Sequence, residues 1–174
     1  SLEENVITIQ DTIVNEGDRD YPVLILYHMN MGYPLLSEHS ELYVPSVDVK
    51  PRTEWAAKGI ENWSRMQTPE AGFEEQCYFH RFDQKGLAAI YNPDVEKGLA
   101  ISFDPRNLPF FTEWKMMGKR DYVLGLEPGN CHPDGRAKMR EEGNLTILSP
   151  GAQVDYQVQI RLLSGREAWE KVKK

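Results

Sequence analysis

Cysteine is almost missing from this chain. Cys77 and Cys131 are the only two, they lie far apart, and no Cys-x-x-Cys spacing occurs, so neither a zinc site nor a disulfide framework is indicated. A reducing cytoplasm is the compartment such usage fits. Long apolar runs are missing too: no stretch approaches the roughly 18 residues a membrane-spanning helix needs. The N-terminus also lacks the basic-then-apolar order of a signal peptide, which gives the expectation of a soluble, unexported protein. Basic residues are the minority, 20 against 27 acidic ones, for a formal charge of −7 and a pI near 5.2. That balance repels phosphate backbones and anionic lipid surfaces, which argues against nucleic acid and membrane as partners. No Gly-x-Gly-x-x-Gly, Walker loop, Gly-x-Ser-x-Gly elbow or His-Glu-x-x-His is present. Nucleotide, acyl-enzyme and metal chemistry therefore have no signature to rest on.

What is there is a pattern of short strands. The chain has 174 residues, 40% of them hydrophobic, enough for one domain with a sizeable core. Eleven prolines and thirteen glycines punctuate short apolar segments. In Val154-Asp155-Tyr156-Gln157-Val158-Gln159-Ile160-Arg161-Leu162 every even position is apolar, as expected for a strand with one face on a core and one in water. Residues 77–82, 87–91 and 99–103, separated by connections that each end in glycine, read as an antiparallel meander whose turns use the positive φ that glycine allows. Helix is scarce: 166–172 with Ser164 as N-cap, and a turn or two within 53–63. Residues 37–72 form the longest irregular excursion. The expectation is an all-β antiparallel sandwich with few short helices, spanning 1–174 as one domain. Because the chain begins Ser1-Leu2 without a methionine, it also reads as a piece of something longer.

Two titratable groups stand out. His28 closes the apolar run Val23-Leu24-Ile25-Leu26-Tyr27. Alone it reads as a satisfied polar residue at a strand end, but Asn30 adds an amide and Gly32 permits close backbone approach. An imidazole titrates near neutrality and can deliver a proton to a developing oxyanion. Glu127 follows the apolar Tyr122-Val123-Leu124 and precedes Pro128-Gly129, which reads as a turn. It is either a solvated turn residue or a strand-end carboxylate whose burial would raise its pKa toward general-base values. Asn130, His132 and Asp134 follow closely enough to line the same pocket, and read equally well as ordinary polar loop residues. Glu113-Trp114-Lys115 combines an aromatic face with polar groups, as a sugar site needs, or else is a half-buried strand with a core tryptophan. His80 and Arg81 alternate faces, so at most one of them enters a given cleft. His39 has no such company and reads as exposed.

His-x-Asn-x-Gly-Tyr-Pro at 28–34, Leu-Pro-x-x-x-x-Trp-Lys-x-x-Gly at 108–118 and Gly-Leu-Glu-Pro-Gly-Asn at 125–130, taken together, resemble the galactose mutarotase (aldose 1-epimerase) superfamily, and within it the bacterial aldose epimerases. The resemblance covers nearly the whole chain and corresponds to the C-terminal part of such a protein. It implies a β-supersandwich with a sugar in a concave cleft, and an isomerase that interconverts sugar anomers in carbohydrate metabolism. It makes His28 the general acid that protonates the ring oxygen and Glu127 the general base on the anomeric hydroxyl, with Asn30, His80, Trp114, Lys115 and Asn130 as substrate-binding residues. Hemiacetal opening needs two proton transfers, so no cofactor and no metal are expected, and a small-molecule sugar is the expected partner. The alternative is a sugar-binding module with the same fold and no turnover. Family members carry a further histidine and an arginine in their N-terminal half, to which no segment here corresponds. Strand edges left open by that half would need covering, for which homo-oligomerisation is one route.

Overall fold

The structure is a computed structural model that describes residues 4–174. Among these, twelve strands and three α-helices form. One five-stranded sheet has the order β1 (Val6–Val14), β12 (Gln153–Ser164), β8 (Lys97–Phe103), β7 (Gly86–Asn92), β4 (Glu41–Tyr43). The other has the order β3 (Met29–Met31), β10 (Tyr122–Gly129), β9 (Phe110–Met117), β6 (Gln76–Arg81), β5 (Asp48–Pro51). A small ribbon pairs β2 (Tyr21–Val23) with β11 (Thr146–Leu148), and every pair of neighbours is antiparallel. The all-β antiparallel sandwich expected from the sequence is what the chain forms.

Alternation explains the core. Ala88, Ile90, Ile101, Phe103 and Val158 from the first sheet meet Phe111, Met117, Leu124 and Leu126 from the second. Phe103 and Phe111 stack across the interface with ring centroids 5.7 Å apart, and Phe82 packs edge-on against both. The first sheet has a second apolar face. Leu87, Ala89, Tyr91, Ala100 and Leu163 lie on its outer side, where helix α3 (Gly165–Val172) covers them with Trp169. β7 is therefore buried at every position, and Gly-Leu-Ala-Ala-Ile-Tyr-Asn need not alternate.

Several local expectations change. Of these three segments only β7 and β8 pair with each other, while β6 pairs with β5 and β9, so the chain crosses between sheets after Arg81 instead of continuing a meander. Gly86 and Gly98 lie inside strands without positive φ. A Cβ at Gly86 would run into the Phe103 ring and one at Gly98 into the Ile90 carbonyl, so close packing and not turn geometry demands them. The left-handed residue of that hairpin is Glu96, at φ 50°. In β12 the alternation ends early: Leu162 is 51% exposed, and Leu163 is the buried residue because α3 lies on its face. Of the short helices, α1 (Glu54–Lys58) starts at Thr53, whose hydroxyl accepts from Ala56 N at 3.1 Å. Helix α2 (Gly135–Glu141) lies outside the two segments expected to be helical. Ser164 precedes α3 but makes no capping bond, since its hydroxyl accepts from Lys97 Nζ instead.

Trp169 stacks on Tyr91 with centroids 5.6 Å apart and donates its indole N–H to Glu41 at 2.8 Å. Trp169→Ala should therefore cost about 3–5 kcal/mol by leaving a cavity and taking one donor from Glu41, which keeps Arg166 as its partner. Urea unfolding measures it, and a loss below about 1 kcal/mol would mean that α3 does not hold down this face.

Candidate functional site

The site grows out of the β9–β10 ladder. Its register sets Glu127 opposite Thr112 and Gly125 opposite Trp114. On the flanking strands Gly125 faces Asn30 and Trp114 faces Cys77. These residues share one face because Leu124, Leu126 and Phe111 take the alternate positions and fill the core. Pro128 and Gly129 do not make the expected turn. They continue β10, where the Pro128 carbonyl accepts from Tyr27 N at 2.9 Å and Gly129 bridges to Leu26. The segment leading to His28 is thereby laid alongside β10, and Asn130 fastens it. The Asn130 side-chain oxygen accepts from Ile25 N (2.8 Å), and its amide donates to Val23 O (3.0 Å) and to the Tyr156 hydroxyl (2.9 Å).

The consequence is contact. His28 Nε2 lies 3.1 Å from Glu127 Oε1, with the imidazole 47% exposed and the carboxylate only 2%. The approach is too oblique to make a hydrogen bond, and Oε1 has no other partner within the chain. Burial pushes the Glu127 pKa up to about 7. Next to it the Thr112 hydroxyl is buried and equally without a partner. Gly125 makes room for the acid, since a Cβ there would overlap Glu127 Oε1. Trp114 packs edge-to-face on His28 at 5.7 Å and donates its indole N–H to Glu75 at 2.7 Å. His28, Glu75, Thr112, Trp114 and Glu127, together with Arg52, Cys77 and Pro133, line a pocket of about 210 Å³. That is below the roughly 300–1,000 Å³ of drug-sized sites and suits one end of a small polar molecule. Arg52 is held by Asp134 at 2.8 Å, and His132 stacks flat on Phe79 at 3.8 Å, its burial lowering the imidazole pKa. The Cys77 thiol is pushed up to about 11 by burial, which leaves it protonated and inert.

Not every residue named from the sequence joins this pocket. Asn30 lies on the same face of β3 but is exposed and does not line the cavity. Lys115 points the other way, into the interior, where Nζ donates to the carbonyls of Asn62 (2.9 Å) and Arg65 (2.6 Å), because adjacent strand residues take opposite faces. His80 is likewise interior, with Nε2 3.2 Å from Glu113 Oε2 and Nδ1 3.0 Å from the Ser46 hydroxyl. Asn130 is spent on the main chain of Val23 and Ile25 and on the Tyr156 hydroxyl. His39 pairs on the surface with Asp94. Arg52, Glu75, Cys77 and Thr112 were not anticipated, because only the pairing of β5, β6 and β9 brings them beside Glu127. Among the described residues no three His, Cys, Asp or Glu side chains converge as a metal site would require, and no helix is long and apolar enough to cross a membrane. A larger groove of about 910 Å³ lies on the outer face of the first sheet beside α3, away from these groups.

Comparison with known proteins gives the class. The chain belongs to the family described as Domain of unknown function (DUF4432), which matches residues 1–162. Its fold is that of galactose mutarotase-like proteins. A putative aldose 1-epimerase from Klebsiella pneumoniae subsp. pneumoniae MGH 78578 superposes with a TM-score of 0.91 at 29% identity, over 98% of this chain and 46% of that one. An aldose 1-epimerase of the same provisional description from Escherichia coli K12 matches at 0.62 and 16% identity, over 92% of this chain and 57% of that one. A galactose mutarotase related enzyme from Lactobacillus acidophilus matches at 0.63 and 11%, over 92% and 58%. The chain thus spans about half the length of these structures. No curated protein matches its sequence.

The raised Glu127 pKa carries a stability signature. The folded state favours the protonated acid, so the penalty for ionising it grows as pH climbs from about 4.5 and is complete above about 7. Glu127→Gln should therefore raise unfolding free energy at pH 8 by on the order of 3 kcal/mol and leave it nearly unchanged at pH 4. Urea titrations at the two pH values check this, and equal effects at both would contradict the buried, proton-retaining acid.

Proposed function

We propose that this pocket holds the anomeric end of a sugar and interconverts its anomers by acid–base catalysis, with His28 as acid and Glu127 as base. The observation that carries the reading is the 3.1 Å approach of a half-exposed imidazole to a buried carboxylate whose pKa lies near 7. In the reaction Glu127 removes the proton of the anomeric hydroxyl, the C1–O1 bond becomes a carbonyl as the C1–O5 bond breaks, and O5 takes the proton from His28 Nε2. Rotation about C1–C2 presents the other face of the carbonyl, and the same transfers in reverse close the ring. Both oxygens are bonded to one carbon, so the acid and the base need to lie side by side and not a ring's width apart. Direct contact between His28 and Glu127 suits that geometry. The buried Thr112 hydroxyl and Glu127 Oε1, both unpartnered within the chain, offer hydrogen bonds to a polar ligand. Trp114 offers an aromatic surface for the apolar face of a pyranose, with Glu75 and Arg52 beside it for hydroxyls.

A non-catalytic sugar-binding module is the second reading. It is favoured by the chain spanning only about half the length of the matched structures. Freshly dissolved α-anomers of a panel of aldoses, followed by polarimetry, separate the two: catalysis accelerates the drift of rotation, whereas a binding module perturbs sugar NMR signals without exchange between anomers. If turnover occurs, Glu127→Gln and His28→Ala should each lower it by about 100- to 10,000-fold. Acceleration that survives both substitutions would remove the assigned roles.

Two further outcomes follow from the geometry. The rate should rise with pH through about 7 as Glu127 ionises, and this limb should vanish in Glu127→Gln. Gly125→Ala, which pushes the carboxylate aside, should cut the rate at least tenfold while the far-ultraviolet circular dichroism stays unchanged.

A further inference from the structure

Strand β1 is the open edge of the first sheet: among the described residues it pairs with β12 alone. Two bonds near its ends fix the phase of its ladder. The Asn5 carbonyl accepts from Leu162 N at 2.7 Å, and Asn15 N donates to the Ala152 carbonyl at 2.9 Å. Bonded positions recur every second residue in an antiparallel pair. The odd-numbered residues of β1 therefore direct their main-chain groups to β12, and Val6, Thr8, Gln10, Thr12 and Val14 turn theirs outward. Few of the usual devices that protect an edge are present. Val6–Val14 contains no proline, glycine or lysine, and its single charge, the inward-pointing Asp11, is already held by the Tyr27 hydroxyl, from which it accepts at 2.7 Å.

The sequence of this edge, Val-Ile-Thr-Ile-Gln-Asp-Thr-Ile-Val, reads almost identically in both directions. Antiparallel pairing with a second copy about Gln10 sets Val6 against Val14, Ile7 against Ile13 and Thr8 against Thr12, leaving only Ile9 against Asp11 unlike. That register joins even residues to even residues, so outward-facing groups of one copy meet outward-facing groups of the other. A one-residue slip would break this phase and turn the second copy's apolar face to the wrong side. The inner face at this edge is also uncovered: Ile7 is 54% exposed, beside Leu162. The register would bring a second copy's Ile13 against Ile7.

We propose that two copies of this chain associate through β1 about a two-fold axis at Gln10, joining two five-stranded sheets into one continuous sheet. The partner is the chain itself because the edge is complementary to itself in hydrogen-bond phase, in side-chain type and in facing direction.

Light scattering on the whole chain at micromolar concentration should give twice its 20.1 kDa. Gln10→Pro removes an N–H that no bond inside the chain uses, and proline is tolerated on edge strands. It should return the mass to 20.1 kDa with far-ultraviolet circular dichroism retained. The double variant Thr8→Lys/Thr12→Lys, which leaves the backbone intact and opposes like charges across the axis, should do the same. Register is read by oxidation. Gln10→Cys places two thiols on the axis, at a Cα separation of about 5.5 Å for a bonded pair, within the range a disulfide bridges. It should link copies, while Thr8→Cys, off the axis, should not. Cys77 and Cys131 are buried and do not compete. A single-chain mass for the unmodified protein, a dimer that survives both the proline and the lysine variants, or linking at Thr8→Cys as readily as at Gln10→Cys would each overturn the proposal.

Discussion

The register between β9 and β10 is the constraint on which the pocket depends. Because side chains alternate with period two, this one alignment decides that Glu127, Gly125, Thr112 and Trp114 share the open face while Leu126, Leu124, Phe111 and Glu113 face inward. The core residues hold the register. Leu124, Leu126 and Phe111 are completely buried, and a one-residue slip would put Glu127 among them. Gly125 adds a local condition, since the carboxylate occupies the space where any other residue would carry a Cβ.

The same sheet carries polar groups on both faces, and comparing the two sides shows what separates a structural group from a reactive one. Glu113 and Glu127 are both glutamates on the central strands, both essentially buried and both near a histidine about 3 Å away. His80 beside Glu113 is sealed in the interior and anchored by Ser46, so that pair has no route to a ligand. His28 beside Glu127 is half exposed on a pocket. Burial of Glu127 costs stability above neutrality, since an acid kept protonated to about pH 7 must be ionised there against its surroundings. Such a cost, borne next to a cavity, is the physical mark of a candidate reactive group.

Strand alternation made the fold class legible, and β12 was readable almost residue by residue until its face met α3 at Leu163. The path of the chain between sheets was not legible, because β6 and β7 are equally apolar and only pairing assigns them to different sheets. In the site, the motifs at 28–34 and 125–130 named the two residues that touch. They did not separate pocket groups from groups that merely lie close in sequence. Lys115 and Trp114 are neighbours on opposite faces of β9, and His80 and Cys77 end on opposite faces of β6. Arg52 and Glu75 carried no signal at all, since each reaches the pocket through pairing with a strand distant in sequence.

Asn130 connects these levels. It resembles a pocket residue in sequence, yet its side chain binds Ile25, Val23 and the hydroxyl of Tyr156, which belongs to the opposite sheet. His28 lies outside any strand, just before β3, so its position is set by this tie and by the Tyr27 N–H bond to Pro128. Glu127, by contrast, sits in the interior of the ladder. The pair thus joins a group fixed by the sheet to one suspended beside it on a few hydrogen bonds. That difference suits the proposed proton transfer, in which the buried Glu127 would stay put as base while the half-exposed His28 adjusts to an oxygen that moves away as the ring opens.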